Sequence, residues 1–302
     1  MILCIGEILA DMIGTVKDGS LYYERKAGGA PFNVACAAKK FGARAGFVGS
    51  VGDDLIGDFL VKFANGKDLD GVLINRDSKR NTTLAFVQLD ESGERSFCFY
   101  RKNTADYILP YVSQQTLKEA DIVHIGSLML SEKEGLEYAE SIAKRVAAER
   151  KLLSFDVNFR TDIFRDRDSA VKIYKRIIEY ADIVKFSEDE VNVFTEEYID
   201  GELKNKLVCI SLGADGSEWR YKGKRNRVPT IKVKSVDTTG AGDAFYGGVL
   251  SKLDKLPQAM WTAERLDKIF AFANVCGALN TLGRGAIDSL PDLETVNGAL
   301  NS

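Results

Sequence analysis

Asp237-Thr238-Thr239-Gly240-Ala241-Gly242-Asp243-Ala244-Phe245-Tyr246-Gly247-Gly248-Val249-Leu250 is the stretch on which the fold turns. Ahead of it, residues 231–236 alternate apolar and polar side chains, the period of a half-buried strand. Behind it, small and apolar residues run without a breaker to about Leu253, which suits a helix packed into a core. The glycines therefore fall where a strand is expected to become a helix. At such a turn Gly240 and Gly242 let the backbone approach a ligand, and the unpaired amides that open the helix point at it with the positive end of the helix dipole behind them. Asp243, beside that positive partial charge, is expected to favour its ionised form and to act as a hydrogen-bond acceptor or base. An anion hole next to a fixed carboxylate suits transfer of a phosphoryl group to a hydroxyl. The plainer alternative is a glycine-rich turn whose Asp only caps the helix.

The rest of the 302-residue chain limits what this turn can do. Its composition, 45% hydrophobic and 28% charged, is that of an ordinary soluble globular protein with a sizeable core. A net charge of -3 offers no attraction to nucleic acid or an anionic membrane. The apolar start over residues 1–5 meets Gly6 and Glu7 at once, so neither signal peptide nor membrane span is expected and the cytoplasm is the default. Cys4, Cys36, Cys98, Cys209 and Cys276 are scattered and mostly flanked by apolar residues, which reads as small buried side chains. His124 is the only histidine and sits in an apolar run, so it reads as a core residue. Carboxylates, backbone amides, Arg and Lys are left to carry the chemistry.

Residues 1–8 read as a buried strand, with Asp11 near its end. Residues 13–26 and 83–100 each read as a β-hairpin, the first turning at Lys17-Asp18-Gly19-Ser20 and the second at Asp90-Glu91-Ser92-Gly93-Glu94. Two hairpins set into a chain that otherwise alternates strands and helices predict a small sheet standing off the main body as a lid, built from about 13–27 and 82–103. Between them, Gly28 and Gly29 precede Pro31 and Asn33 at the start of a helix that stops at Gly42. A Gly-Gly turn with a capping polar residue would look the same. From residue 120 onward strands at 122–125, 152–156, 183–186 and 207–210 alternate with helices at 132–150, 169–180 and 188–194. This text predicts an α/β fold: one domain with a doubly wound, mostly parallel sheet and helices on both faces. Asp156, Asn158, Arg160, Ser187, Glu190, Ser211, Gly213 and Gly216 gather after those strands, where α/β sheets bind ligands. The third glycine of a dinucleotide fingerprint is replaced by Phe245, and no P-loop motif occurs.

Assembled, these residues resemble the ribokinase-like sugar kinases, the PfkB family. Ala27-Gly28-Gly29-Ala30-Pro31-Phe32-Asn33 with Gly42 is similar to the family's N-terminal signature, and residues 237–250 are similar to its C-terminal one. The resemblance implies an ATP-dependent kinase with Asp243 as base and Gly240, Ala241 and Gly242 as its anion hole. It implies that Asp11, Gly28, Gly29 and Asn33 grip sugar hydroxyls, that Asn158 and Arg160 face the phosphates, and that Ser211, Gly213, Gly216 and Asn274 contact the nucleotide. Glu190 matches the end of the family's Asn-x-x-Glu motif, which organises magnesium and its waters, with Ser187 standing where the Asn is expected. Asp237, Thr239 and Ser289 match the side chains of a potassium site, completed by carbonyls near Gly283 and Gly285. The wording of residues 6–11, 28–33, 99–106 and 156–160 most resembles bacterial fructokinases, with Phe97, Phe99 and Arg101 facing the sugar. Kinases of 2-keto-3-deoxygluconate, whose acceptor carboxylate Arg101 could hold, and ribokinases are the competing readings, and a sugar-binding relative without turnover is a third. The expected partners are a small sugar and ATP, and the chain as monomer or homodimer.

Overall fold

The computed structural model describes residues 1–89, 95–160, 163–164 and 166–301. The first strand, β1 (Ile2–Ile5), is four apolar residues buried on both faces, flanked in parallel by β4 (Ala45–Gly52) and β8 (Ile122–Ile125). The remaining strands of the main sheet are β5 (Gly71–Asp77), β9 (Leu152–Asp156), β10 (Ile183–Ser187), β11 (Leu207–Ser211), β12 (Ser217–Tyr221) and β13 (Lys224–Val228). The order is β13-β12-β11-β10-β9-β8-β1-β4-β5, parallel from β5 to β11 and antiparallel beyond. Chain order runs outward in both directions from β1, so a topological switch point lies between β1 and β8, and the crevice at their carboxyl ends is where such sheets take ligands.

Helices cover both faces. α1 (Ala30–Lys40), α2 (Leu55–Asn65), α8 (Ala241–Leu253) and α9 (Ala263–Asn280) share one core with Phe32, Phe47, Phe245 and Phe270. On the other face α4 (Lys133–Ala148), α5 (Arg167–Ile178), α6 (Glu188–Phe194) and the short α3 (Gln114–Glu119) and α7 (Glu196–Glu202) pack around Phe155, Tyr174 and Phe194. α10 (Leu293–Leu300) closes the described chain against Phe41 and Phe272. The two hairpins form a separate sheet, β3-β2-β6-β7, from β2 (Leu9–Lys17), β3 (Ser20–Gly28), β6 (Leu84–Leu89) and β7 (Arg95–Tyr100). The turn expected at 90–94 lies outside the described residues. No helix among the described residues is long and apolar enough to cross a membrane.

Two expectations need correction. Residues 231–236 form no strand: the sheet edge ends at Val228, and the amides of Val236 and Asp237 donate to the carbonyl of Thr281 instead of a neighbouring strand. Alternation describes which side chains are half-buried, not whether a ladder partner exists. Cys98 is exposed on the small sheet, whereas the other four cysteines are buried and unbridged. His124 is fully buried as expected; its Nδ1 lies 3.1 Å from Ser154 Oγ, and burial drives its pKa down to about 4.

Candidate active site

Helix α8 begins on Gly240, whose φ of 75° is left-handed and whose Cβ, had it one, would fall 2.3 Å from that of Ala286. The chain can therefore enter the helix at that angle only with glycine. The amide of Ala241 turns back onto Thr238 O, while those of Gly242 and Asp243 belong to a first helical turn, which has no intrahelical acceptors. They open onto a cleft of ≈ 530 Å³ at the carboxyl ends of β1 and β8, roofed by the small sheet. Its walls include Glu7, Asp11, Gly29, Asn33, Phe99, Asn158, Arg160, Thr238, Thr239, Gly240 and Asp243.

Asp243 and Asn33 meet there from the first turns of two helices, α8 and α1, with Asn33 Nδ2 donating to Asp243 Oδ2 at 2.8 Å. The Asp243 carboxyl is not held in its ordinary range. Burial pushes its pKa up to about 6, against the Asn33 hydrogen bond; the charge of Asp156 adds to the rise, and those of Lys185 and Arg160 oppose it. The expectation that the helix start would favour the ionised form is thus overturned by desolvation. The outcome is a carboxylate that is ionised at neutral pH and basic enough to take a proton.

Asp11 stands beside the two glycines. A Cβ on Gly28 would fall 2.1 Å from Asp11 Oδ2, and one on Gly29, at φ 110°, 2.4 Å from Glu7 O. The glycines let an acidic side chain and a backbone carbonyl lie flat against the entry to α1. That helix has no side-chain cap from its own N-cap residue; Glu7 supplies the missing acceptor, Oε1 taking the amide of Ala30 at 3.1 Å. Sequence reasoning missed Glu7. The signal was a carboxylate directly behind an apolar strand, and only the fold shows it buried at 3% exposure, where desolvation raises its pKa to about 8.

Other expected residues stand apart from the cleft. Arg101 turns inward: its Nε donates to Asp106 Oδ2 at 2.7 Å and its Nη1 to Ser131 Oγ, so it is not on the cleft wall. Arg101 follows the last residue of β7, so the pleat does not set its direction and the buried Asp106 carboxylate takes it inward. The side chain of Phe97 lies outside the described residues. Ser187 and Glu190 form a reciprocal capping box at the start of α6, and Glu190 Oε1 also accepts the amide of Phe159 at 2.5 Å. Asn274 donates its amide to Val228 O and Pro229 O, and Gly216 is glycine because a Cβ would meet Val228 O at 2.2 Å. Ser211 pairs in register with Ser187, and Gly213 follows it at the same carboxyl edge of the sheet. Next to the cleft residue Thr239, Asp237 accepts the amides of Thr239 and Gly285, and Ser289 Oγ lies within hydrogen-bond reach of both Gly285 O and Asn280 Oδ1. Together these groups form an oxygen-rich cluster around Gly285.

The chain belongs to the pfkB family of carbohydrate kinases, whose family description matches residues 1–293. It is accordingly a phosphotransferase that acts on a sugar hydroxyl. The relatives narrow this further: fructokinase-1 of Zea mays is 38% identical over 96% of this chain and 94% of its own length. Among solved structures, fructokinase with bound ATP from Xylella fastidiosa superposes with a TM-score of 0.92 at 30% identity, covering 99% of this chain and 98% of that one. Fructokinase of Vibrio cholerae in fructose, ADP and calcium ion bound form matches with a TM-score of 0.86 at 29% identity, covering 99% and 98%.

Proposed function

We propose that the protein is an ATP-dependent fructokinase that forms fructose 6-phosphate. The observation that carries this reading is the half-buried Asp243 carboxyl at the start of α8, hydrogen-bonded to Asn33 and facing a cleft that Asp11 shares. Asp11, Asn33 and the shelf of Gly28 and Gly29 hold the sugar, and Phe99 covers it from the small sheet. The sheet acts as a lid that keeps water from competing as acceptor. In the transfer, the primary hydroxyl oxygen forms a bond to the γ-phosphorus as the bond from that phosphorus to the β–γ bridging oxygen breaks, and ADP leaves. The hydroxyl proton passes to Asp243, which is a competent acceptor at neutral pH because burial has raised its pKa to about 6. Amides of the first turn of α8 face the developing charge, with Arg160 on the same wall.

Magnesium enters with the ATP phosphates as part of the substrate. Glu190, both of whose oxygens are engaged by amides, acts on it at most through water and chiefly shapes the loop that carries Asn158 and Arg160. Potassium suits the Asp237–Ser289 cluster, where it would add positive charge behind the helix start. Fructose is favoured over 2-keto-3-deoxygluconate because Arg101, the group that would clamp a substrate carboxylate, is already engaged by Asp106.

The test is ADP release over a panel of fructose, ribose, tagatose, 2-keto-3-deoxygluconate and nucleosides. Fructose is expected to give the highest kcat/KM; a higher value for another acceptor, or no turnover with any, would overturn the assignment.

A further inference from the structure

Beneath the start of α8 lies a charged group that the transfer as described does not use. Lys185 on β10 and Asp156 on β9 are direct register partners, and their side chains point to the same face of the sheet. Lys185 Nζ reaches both oxygens of Asp156, at 2.9 and 3.0 Å, and the two residues are only 6% and 2% exposed. The ammonium also lies against the helix start, 3.7 Å from where a Cβ on Gly242 would sit. Two further carboxyl groups act on it: Glu190 from α6 and Asp243 from α8.

We propose that Lys185 is a positioning residue of the transfer site, a single buried ammonium shared by Asp156, Glu190 and Asp243 that shields the base from the other two acids. This rests on the reading of Asp243 as base and extends it to the charge that sets when that base works. Around Asp243 the charged groups are Asp156 and Lys185 from the sheet, Glu190 from α6, Arg160 from the loop after β9, and Asp11 and Glu7 across the cleft. Asp156 raises the pKa of Asp243 and Lys185 lowers it, so the pair is a balance with opposite arms. Burial alone would discharge Lys185, but Asp156 first and Glu190 next hold it protonated. Burial makes Asp243 basic, and Lys185 offsets the further rise that the neighbouring Asp156 charge would impose.

The arms have opposite signs, and the test uses that. The Asp243 carboxyl is followed by ¹³C NMR in the full chain labelled at aspartate carboxyls, its signal assigned by loss in Asp243→Asn. In Lys185→Met the titration midpoint is expected to rise by about one unit, the acid limb of kcat/KM for fructose moving with it. In Asp156→Asn, where Glu190 and Asp243 are left to hold Lys185 protonated, the midpoint is expected to fall. In the double variant it returns toward the wild-type value. A midpoint that stays put or moves the same way in both single variants overturns the proposal; should Lys185→Met fail to fold, an unmoved or raised midpoint in Asp156→Asn does so alone. Opposite shifts in a chain that phosphorylates no sugar would uphold the charge balance and defeat the kinase reading. Normal fructose turnover without the shifts would do the reverse.

Discussion

Asn33 Nδ2 and Asp243 Oδ2 are 2.8 Å apart, a hydrogen bond that ties the first turn of α1 to the first turn of α8 across 210 residues of sequence. The bond orients the carboxyl, stabilises its ionised form and joins the sugar side of the cleft to the phosphate side. Asn33→Ala removes one partner and leaves the acid buried. Hydrogen bonds to charged groups contribute about 1.5–3 kcal/mol, so kcat/KM for the sugar is expected to fall by roughly 10- to 100-fold. Steady-state kinetics with an unchanged melting temperature checks this.

The base also sets a pH dependence. Asp243 must be deprotonated to accept the hydroxyl proton, and its pKa is raised to about 6. Turnover is therefore expected to be flat above that value and to drop tenfold for each further unit of acidity below it. A profile of kcat/KM against pH with its acid limb at the ordinary aspartate range would show that the limiting group is not this one.

Gly28 is predicted to be intolerant of a methyl group. In Gly28→Ala the new Cβ would overlap Asp11 Oδ2 at 2.1 Å, forcing the carboxylate out of place while leaving β3 paired. Misplacing a substrate-holding group by about 1 Å can cost up to ~100-fold, and the loss should appear as a raised KM for the sugar with KM for ATP little changed. Equal changes in both would point to a general distortion.

Much of this was legible in the sequence, for identifiable reasons. The hairpins at 13–26 and 83–100 and the βαβα text after residue 120 carry strong periodicity, and both sheets follow it. Gly28, Gly29 and Gly240 mark backbone positions where a side chain would clash, so they located the cleft. What failed depended on partners that periodicity does not name. The alternating segment 231–236 found no ladder, and Arg101 met Asp106. That Asn274 and Gly216 both meet the carbonyl of Val228 was likewise invisible in the sequence. Glu7 and Lys185 went unnoticed because a charged residue beside an apolar strand does not say which way it is buried.

Glu7 yields a prediction about stability. Its pKa is raised from 4.5 to about 8 by burial, so the folded state binds a proton that the unfolded chain has released. That contribution is fully present below 4.5 and is lost as pH rises through about 8. Glu7→Gln cannot ionise, so its melting temperature relative to wild type should climb across this window. A constant difference between the two proteins would mean that Glu7 does not carry the proton.

The central claim is that Asp243 takes the proton of a fructose hydroxyl while ATP gives up its γ-phosphoryl group. The most direct measurement is kcat for ATP-dependent fructose phosphorylation by Asp243→Asn, which preserves the shape and removes the base. Turnover is expected to fall by roughly two to four orders of magnitude with the melting temperature nearly unchanged. Near-normal turnover in the folded variant would contradict the account.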